Sequence, residues 1–216
     1  MKRAAEDLFV RYRGIFRQGS FLVEVLLGFA VLAGGIFATY LANRYTIIHA
    51  SNTVTDLILD RVPVVNVNIV FTEGATLFVL ALAAITLYRP ARIPFVLKSI
   101  GLFTLVRSVF MVLTHIAPPV NHSYFDTTSL LYKLSSGDDL FFSAHTGLPF
   151  MLAFIFWDRR PIRYFFFASS AIGGVAVLLG HLHYSIDVFS ALFIGFGIYY
   201  MAKNLFRRDF KRLEEA

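Results

Sequence analysis

The chain of 216 residues contains no cysteine. That absence excludes a disulfide framework and any chemistry based on a thiolate nucleophile. Charge is also scarce: Asp, Glu, Lys and Arg make up 16% of the residues, while 57% are hydrophobic. A soluble domain is about half apolar, and here the excess lies in long unbroken runs. That is the pattern of membrane-spanning segments rather than of a large water-soluble core. No internal repeat and no low-complexity tract interrupts the sequence. A transporter built from matched halves would show such a repeat, so this absence weighs against one. A cleaved signal peptide is not expected either. The first apolar run begins near Phe21, is long enough to span, and lacks a small-residue cleavage site.

What is present is six apolar runs. They are Ser20 to Ala42, Val67 to Tyr88, Phe95 to Ile116, Phe141 to Trp157, Tyr164 to Leu179 and Ile186 to Ala202. The expected fold is all-α, a polytopic membrane protein of six transmembrane helices. Residues 1–19 read as a basic segment, either lying on the membrane surface or forming a disordered tail. Residues 20–203 read as the membrane domain and 204–216 as a charged cytoplasmic tail. Gly34-Gly35 in the first run predicts close helix packing. Asp138 or Asp139 is placed to cap the fourth helix.

Six spans put both termini on one side. The formal net charge of +6 would suit a nucleic-acid partner if the charges were clustered for it, but their positions follow the membrane instead. Sixteen of the 20 Lys and Arg residues fall in 1–18, 89–98, 159–163 and 203–212, all on the side of the termini. The other side has Arg44, Arg61 and Lys133, and Arg107 lies within a span. Positive charge marks the cytoplasmic side, so both termini are expected there and no nucleic-acid partner is implied. His49, His115, His122, His145, His181 and His183 then all map to the opposite half.

Two polar stretches at that opposite edge carry candidate chemistry. In His181-Leu182-His183-Tyr184-Ser185-Ile186-Asp187, His183 and Asp187 are four apart and share a face if the stretch is helical. A carboxylate so placed orients an imidazole for nucleophilic or base catalysis. The plain alternative is a polar turn between two hydrophobic helices. In Ser135-Ser136-Gly137-Asp138-Asp139-Leu140-Phe141-Phe142-Ser143-Ala144-His145-Thr146, a helix start would offer backbone N–H groups to an anion such as phosphate. Ser143 adds a hydroxyl and His145 a titratable proton. The plain alternative is ordinary capping. Arg107, costly inside a span without a partner, is the cation to balance a phosphate. Glu73 either faces the same site or neutralises Arg107. Together these residue types point to phosphoryl transfer, with His183 attacking phosphorus, Asp187 holding its tautomer and His145 protonating the leaving oxygen. His145, His181, His183 and Asp187 are each acceptable zinc ligands. However, His181 and His183 are two apart and diverge on a helix, so neither a metal nor a cofactor is expected.

These stretches resemble signatures of the type 2 phosphatidic acid phosphatase (PAP2-like) superfamily, and more closely its sphingomyelin-synthase-related branch. The likeness rests on Gly137-Asp138 through Phe142-Ser143-Ala144-His145-Thr146, and on His181-Leu182-His183-Tyr184-Ser185-Ile186-Asp187. Gly101 to Arg107, leading to Ala117-Pro118-Pro119, resembles that branch's arginine-bearing span, and Asp56 to Glu73-Gly74 matches more loosely. The resemblance implies a PAP2-like six-helix bundle whose site faces the extracytoplasmic or lumenal side. It implies a phosphohistidine on His183, with Asp187 as its orienting partner and His145 as general acid. Membrane lipids would be both donor and acceptor, and Asp138, Asp139, Ser143, Arg107, Glu73, His181 and Tyr184 would contact substrate or phosphate. Ala144 stands where the branch carries glycine. A phosphatase-type Ser-Arg pair upstream of His183 is missing, since Ala176-Val177 occupy that distance; this favours a head-group transferase over a simple phosphatase.

Overall fold

In the computed structural model, residues 10–119 and 141–215 are described. Among them every regular element is helical. The helices are α1 (Gly19–His49), α2 (Asn68–Leu87), α3 (Ile93–Leu113), α4 (Ala144–Ile155), α5 (Arg160–Leu179), α6 (Ser185–Leu205) and α7 (Arg207–Glu214). Short 3-10 turns occur at Leu59–Arg61 and Pro90–Arg92. Five helices (α1, α2, α3, α5 and α6) are long and apolar enough to cross a membrane.

The expected fourth span is α4, and it has only 12 residues. At 1.5 Å per residue it covers about 18 Å of a hydrocarbon core about 30 Å thick. Its shortness is tolerable because α4 sits inside the bundle rather than against lipid. Seven of its residues are buried, and Met151, Leu152 and Ala153 are fully enclosed. A short helix with Pro149 in its interior survives at membrane depth only where protein surrounds it. Small residues bring the neighbours close. A Cβ on Gly195 of α6 would lie 2.8 Å from the Gly147 carbonyl of α4. On the other flank, one on Gly174 of α5 would meet Thr146 at 3.2 Å. Ser170 of α5 donates to the Thr146 carbonyl at 2.7 Å.

The α1–α3 pair packs by the same means. A Cβ on Gly35 would come 2.7 Å from the Gly101 carbonyl, and one on Gly101 would meet the backbone of Val31 and Leu32 at 2.7 Å. Gly34 faces open space. Of the two glycines expected to allow close packing, only Gly35 does so, because successive residues on a helix point about 100° apart.

The bundle has a basic end and a histidine end. At the basic end, Lys98 of α3 is buried and bonds both Glu24 of α1 and Asp209 of α7. Asp209 and Phe210 are buried, so within the charged C-terminal stretch 207–214 is a helix docked on the bundle. Residues 10–16 are helical here, and Tyr12 donates to the Leu87 carbonyl at 2.9 Å. Residues 1–9 of the expected N-terminal segment lie outside the described residues. At the histidine end, the rings of His49 and His115 stack 5.9 Å apart. There α1 overruns its expected end by seven residues, since nothing from Asn43 to His49 breaks a helix.

Candidate active site

Two helix starts meet at the histidine end. Ser143, the N-cap of α4, donates its backbone N–H to the carbonyl of Asp187 in the first turn of α6, at 3.1 Å. This one bond joins the two polar stretches through residues that lie 44 positions apart in the sequence. His145 is the second residue of α4, and it lies within electrostatic reach of both His183 and Arg107.

His183 is 5% exposed and Asp187 2%. The Nδ1 of His183 stands 3.4 Å from Oδ2 of Asp187. That is ion-pair reach for an imidazolium, but Nδ1 makes no hydrogen bond in the resting geometry. Contacts of this kind are often long before substrate binds and tighten afterwards. The expectation that both residues share a helical face is corrected. Because α6 begins at Ser185, His183 precedes the helix and the pair bridges a turn and the first helical turn. The same Asp187 oxygen accepts the N–H of Tyr184 at 3.1 Å, which fixes the carboxylate.

Arg107 of α3 is buried, with Nε donating to the Phe142 carbonyl at 3.1 Å and Nη1 directed at Sδ of Met111 at 3.3 Å. The chain reaches Ser143 through a sharp bend. Phe141 and Phe142 have φ of 88° and 25°, a region non-glycine residues seldom occupy. Arg107 clamps the carbonyl of that bend, and strained backbone held in this way is common where a site is preorganised. The Ser143 hydroxyl is fully buried and has no partner. Buried polar atoms are nearly always satisfied, so a group left open beside a helix start and an arginine is available to an anion.

The other expected site residues separate. Glu73 is exposed on α2 and forms no ion pair with Arg107, so the internal pairing considered for them does not occur. His181 has its own partner: it adopts φ 53°, and its Nε2 lies 3.0 Å from the Val62 carbonyl. Tyr184 donates its hydroxyl to the Ala117 carbonyl at 2.9 Å and accepts from Val54 N–H at 3.3 Å. Its role is to tie loops to the site rather than to offer a free hydroxyl. Asp138 and Asp139 lie outside the described residues. The cap of α4 is Ser143, which makes no side-chain capping bond. Among the described residues no group of three or more His, Asp or Glu side chains gathers as a metal ligand set.

Two contacts were not foreseen. The Phe71 ring of α2 lies 4.1 Å from the His145 ring. Gly173 of α5 presses against the His145 backbone, so that any Cβ there would collide with the His145 carbonyl. Gly173→Ala is therefore expected to push the start of α4 aside. Displacing a catalytic group by about 1 Å costs on the order of 10²-fold in turnover. Circular dichroism should show the helices intact while an activity assay shows the loss.

Residues 137–204 match the family described as PAP2 superfamily C-terminal. That stretch contains Ser143, His145, His183 and Asp187, whereas Glu73 and Arg107 lie upstream of it. Over 72 residues the chain is 31% identical to Uncharacterized protein MJ0662 of Methanocaldococcus jannaschii, a match covering 33% of this chain and 30% of that one. The chain thus spans about a third of the length of the curated relative it matches. No solved structure matches. The match places a PAP2-like C-terminal segment within a chain that has five helices long and apolar enough to cross a membrane.

Proposed function

We propose that the protein transfers a phospho-head-group from a glycerophospholipid to a lipid alcohol, ceramide- or diacylglycerol-like, through a phosphohistidine on His183. The observation that carries this reading is the meeting of His183–Asp187, His145 and the Arg107-clamped bend at one end of an apolar bundle. The positive-inside charge pattern supports reading this end as the extracytoplasmic or lumenal face, where lipid phosphates would meet it.

The steps follow from the residues. Nδ1 of His183 faces Asp187, so Nε2 carries the attacking lone pair. It forms an N–P bond as the P–O bond to the diacylglycerol oxygen breaks, and His145 gives that oxygen a proton. His145 then takes the proton of the acceptor hydroxyl, whose oxygen attacks phosphorus and releases His183. Arg107, the open Ser143 hydroxyl and the first N–H groups of α4 face the phosphate oxygens as charge builds on them. No cofactor enters any step.

Hydrolysis of a lipid phosphate is the same chemistry with water as acceptor. Burial of His183 and Asp187 favours the alcohol, because a site shielded from water protects an intermediate from hydrolysis. A non-enzymatic transporter or sensor would use the same histidines and Arg107 as a ligand path, but an imidazole paired with a carboxylate beside a second imidazole suits catalysis better. Mass spectrometry of the products from mixed phospholipids with ceramide and diacylglycerol decides among them. A new phospholipid and free diacylglycerol are expected. Free phosphate or free head-group phosphate would establish the hydrolase, and unchanged lipids would remove the enzyme reading.

A further inference from the structure

The loop between α1 and α2 has no part in the steps above, yet it is stitched both to the segment that follows α3 and to the turn that carries His183. Ser51 N–H donates to the His115 carbonyl at 2.7 Å, Ala117 N–H to the Asn52 carbonyl at 3.2 Å, and Val65 N–H to the Leu179 carbonyl at 2.8 Å. The contacts of His181 with Val62 and of Tyr184 with Val54 belong to the same seam. At its centre is Asp56, 7% exposed. Its Oδ1 accepts N–H bonds from Ile58 at 2.9 Å and Leu59 at 3.0 Å. Its Oδ2 accepts from the N–H of Ser185 at 2.7 Å. Burial pushes the Asp56 carboxyl up, but the N–H groups of Leu59, Ser185 and Ile58 outweigh it and hold the group below its ordinary value. No Lys or Arg among the described residues forms an ion pair with it. Its charge is met by N–H dipoles, one of them at the positive end of α6.

We propose that Asp56 is a positioning residue for the nucleophile, fixing where α6 begins by holding the N–H of Ser185. This rests on the phosphoryl-transfer reading. His183 lies outside α6, so helical register alone does not set its place. Helix ends fray and shift by a residue unless something pins them. Here two consecutive N–H groups are pinned by two carboxylates: Tyr184 by Asp187 and Ser185 by Asp56. With both held, the turn from His183 to Asp187 has one geometry, and the imidazole keeps its distance from its partner.

The test is a double-mutant cycle of Asp56→Asn and Ser185→Pro, read as kcat and KM on equal amounts of folded protein in detergent. Asn keeps the size of Asp but must turn an NH2 toward either Ser185 or the Ile58–Leu59 pair. Proline at 185 removes the N–H at the first helical position, where proline is favoured. The extended Tyr184, with ψ 158°, suits a residue before proline. Each single variant is expected to lower kcat on the order of 10²-fold with KM and thermal midpoint little changed. In the Ser185→Pro background, Asp56→Asn should then cost nothing further, because the coupled partner is already gone. If Asp56→Asn does not fold, Asp56→Glu carries the test, since it keeps the charge but shifts the oxygens by one methylene and should lose kcat in the same way. Wild-type kcat in the Asp56 variant, full multiplication of the two effects, or a loss matched by a fall in thermal midpoint would each overturn the proposal. His183→Ala is run beside them. Turnover surviving there overturns the nucleophile reading and this proposal with it, whereas full kcat in Asp56→Asn beside an inactive His183→Ala overturns the proposal alone.

Discussion

Replacing His183 by alanine is expected to lower kcat on the order of 10⁶-fold, the size of loss when a covalent nucleophile is removed. The expectation follows from its position. His183 is buried, its Nδ1 is turned toward Asp187 at 3.4 Å, and its backbone lies in the turn just before α6. The alanine variant should fold, because Nδ1 of the ring makes no hydrogen bond and the turn is held by its neighbours. Asp187→Asn should cost less, about 10⁴-fold, as for other carboxylates that orient a catalytic imidazole. It should also loosen the start of α6, since the Asp187 carboxylate accepts the Tyr184 N–H. Turnover assayed in detergent, with the thermal midpoint measured alongside, separates the chemical loss from the structural one. Full activity in His183→Ala would remove the nucleophile from the account.

Replacing His145 by alanine is expected to cost about 10²–10⁴-fold, the range for a general acid, and the cost should depend on the leaving group. A diacylglycerol alkoxide is a poor leaving group and needs a proton from His145 as the P–O bond breaks. A nitrophenolate leaves without one. First-step rates on a nitrophenyl phosphodiester should therefore approach wild type, while those on a phospholipid collapse. The second step still needs His145 to take the acceptor's proton, so the variant should accumulate its covalent intermediate on the activated substrate. Equal loss on both substrates in rapid-quench kinetics would show instead that His145 acts through packing. Its contacts with the Phe71 ring and with Gly173 make that the natural competing explanation.

The spans were legible in the sequence because length and hydropathy alone define them, and five of the six apolar runs became helices long enough to cross. Their ends were less so. Asn43, Arg44 and Thr46 look like loop residues by polarity, yet α1 runs through them to His49 because no proline or glycine stops it. The fourth run began three residues late because the backbone bends at Phe141 and Phe142, a strain that composition does not announce. The gathering of His145 with His183 followed from counting spans, and the Ser143–Asp187 bond realises it. The spacing of His183 and Asp187 was informative for a different reason than helical periodicity, since the pair straddles a helix boundary.

What stayed hidden was long-range pairing. The partner of His181 is Val62, 119 residues away, and Ser185 finds Asp56 129 residues away. No local pattern distinguishes a histidine that bonds a distant carbonyl from one that contacts substrate. Arg107 and Glu73 were candidates for one another because both are charges within apolar runs. In three dimensions Arg107 faces the bundle and clamps Phe142, while Glu73 faces outward.

The central claim is a covalent bond between phosphorus and His183. Rapid-quench digestion and mass spectrometry of the His145→Ala variant, loaded with a nitrophenyl phosphodiester, tests it most directly. The peptide containing His183 is predicted to carry the added mass of the phospho-head-group, stable to base and lost in acid, and His183→Ala should abolish it. Turnover of the same substrate with no modified peptide, or with the added mass on a residue other than His183, would contradict the account.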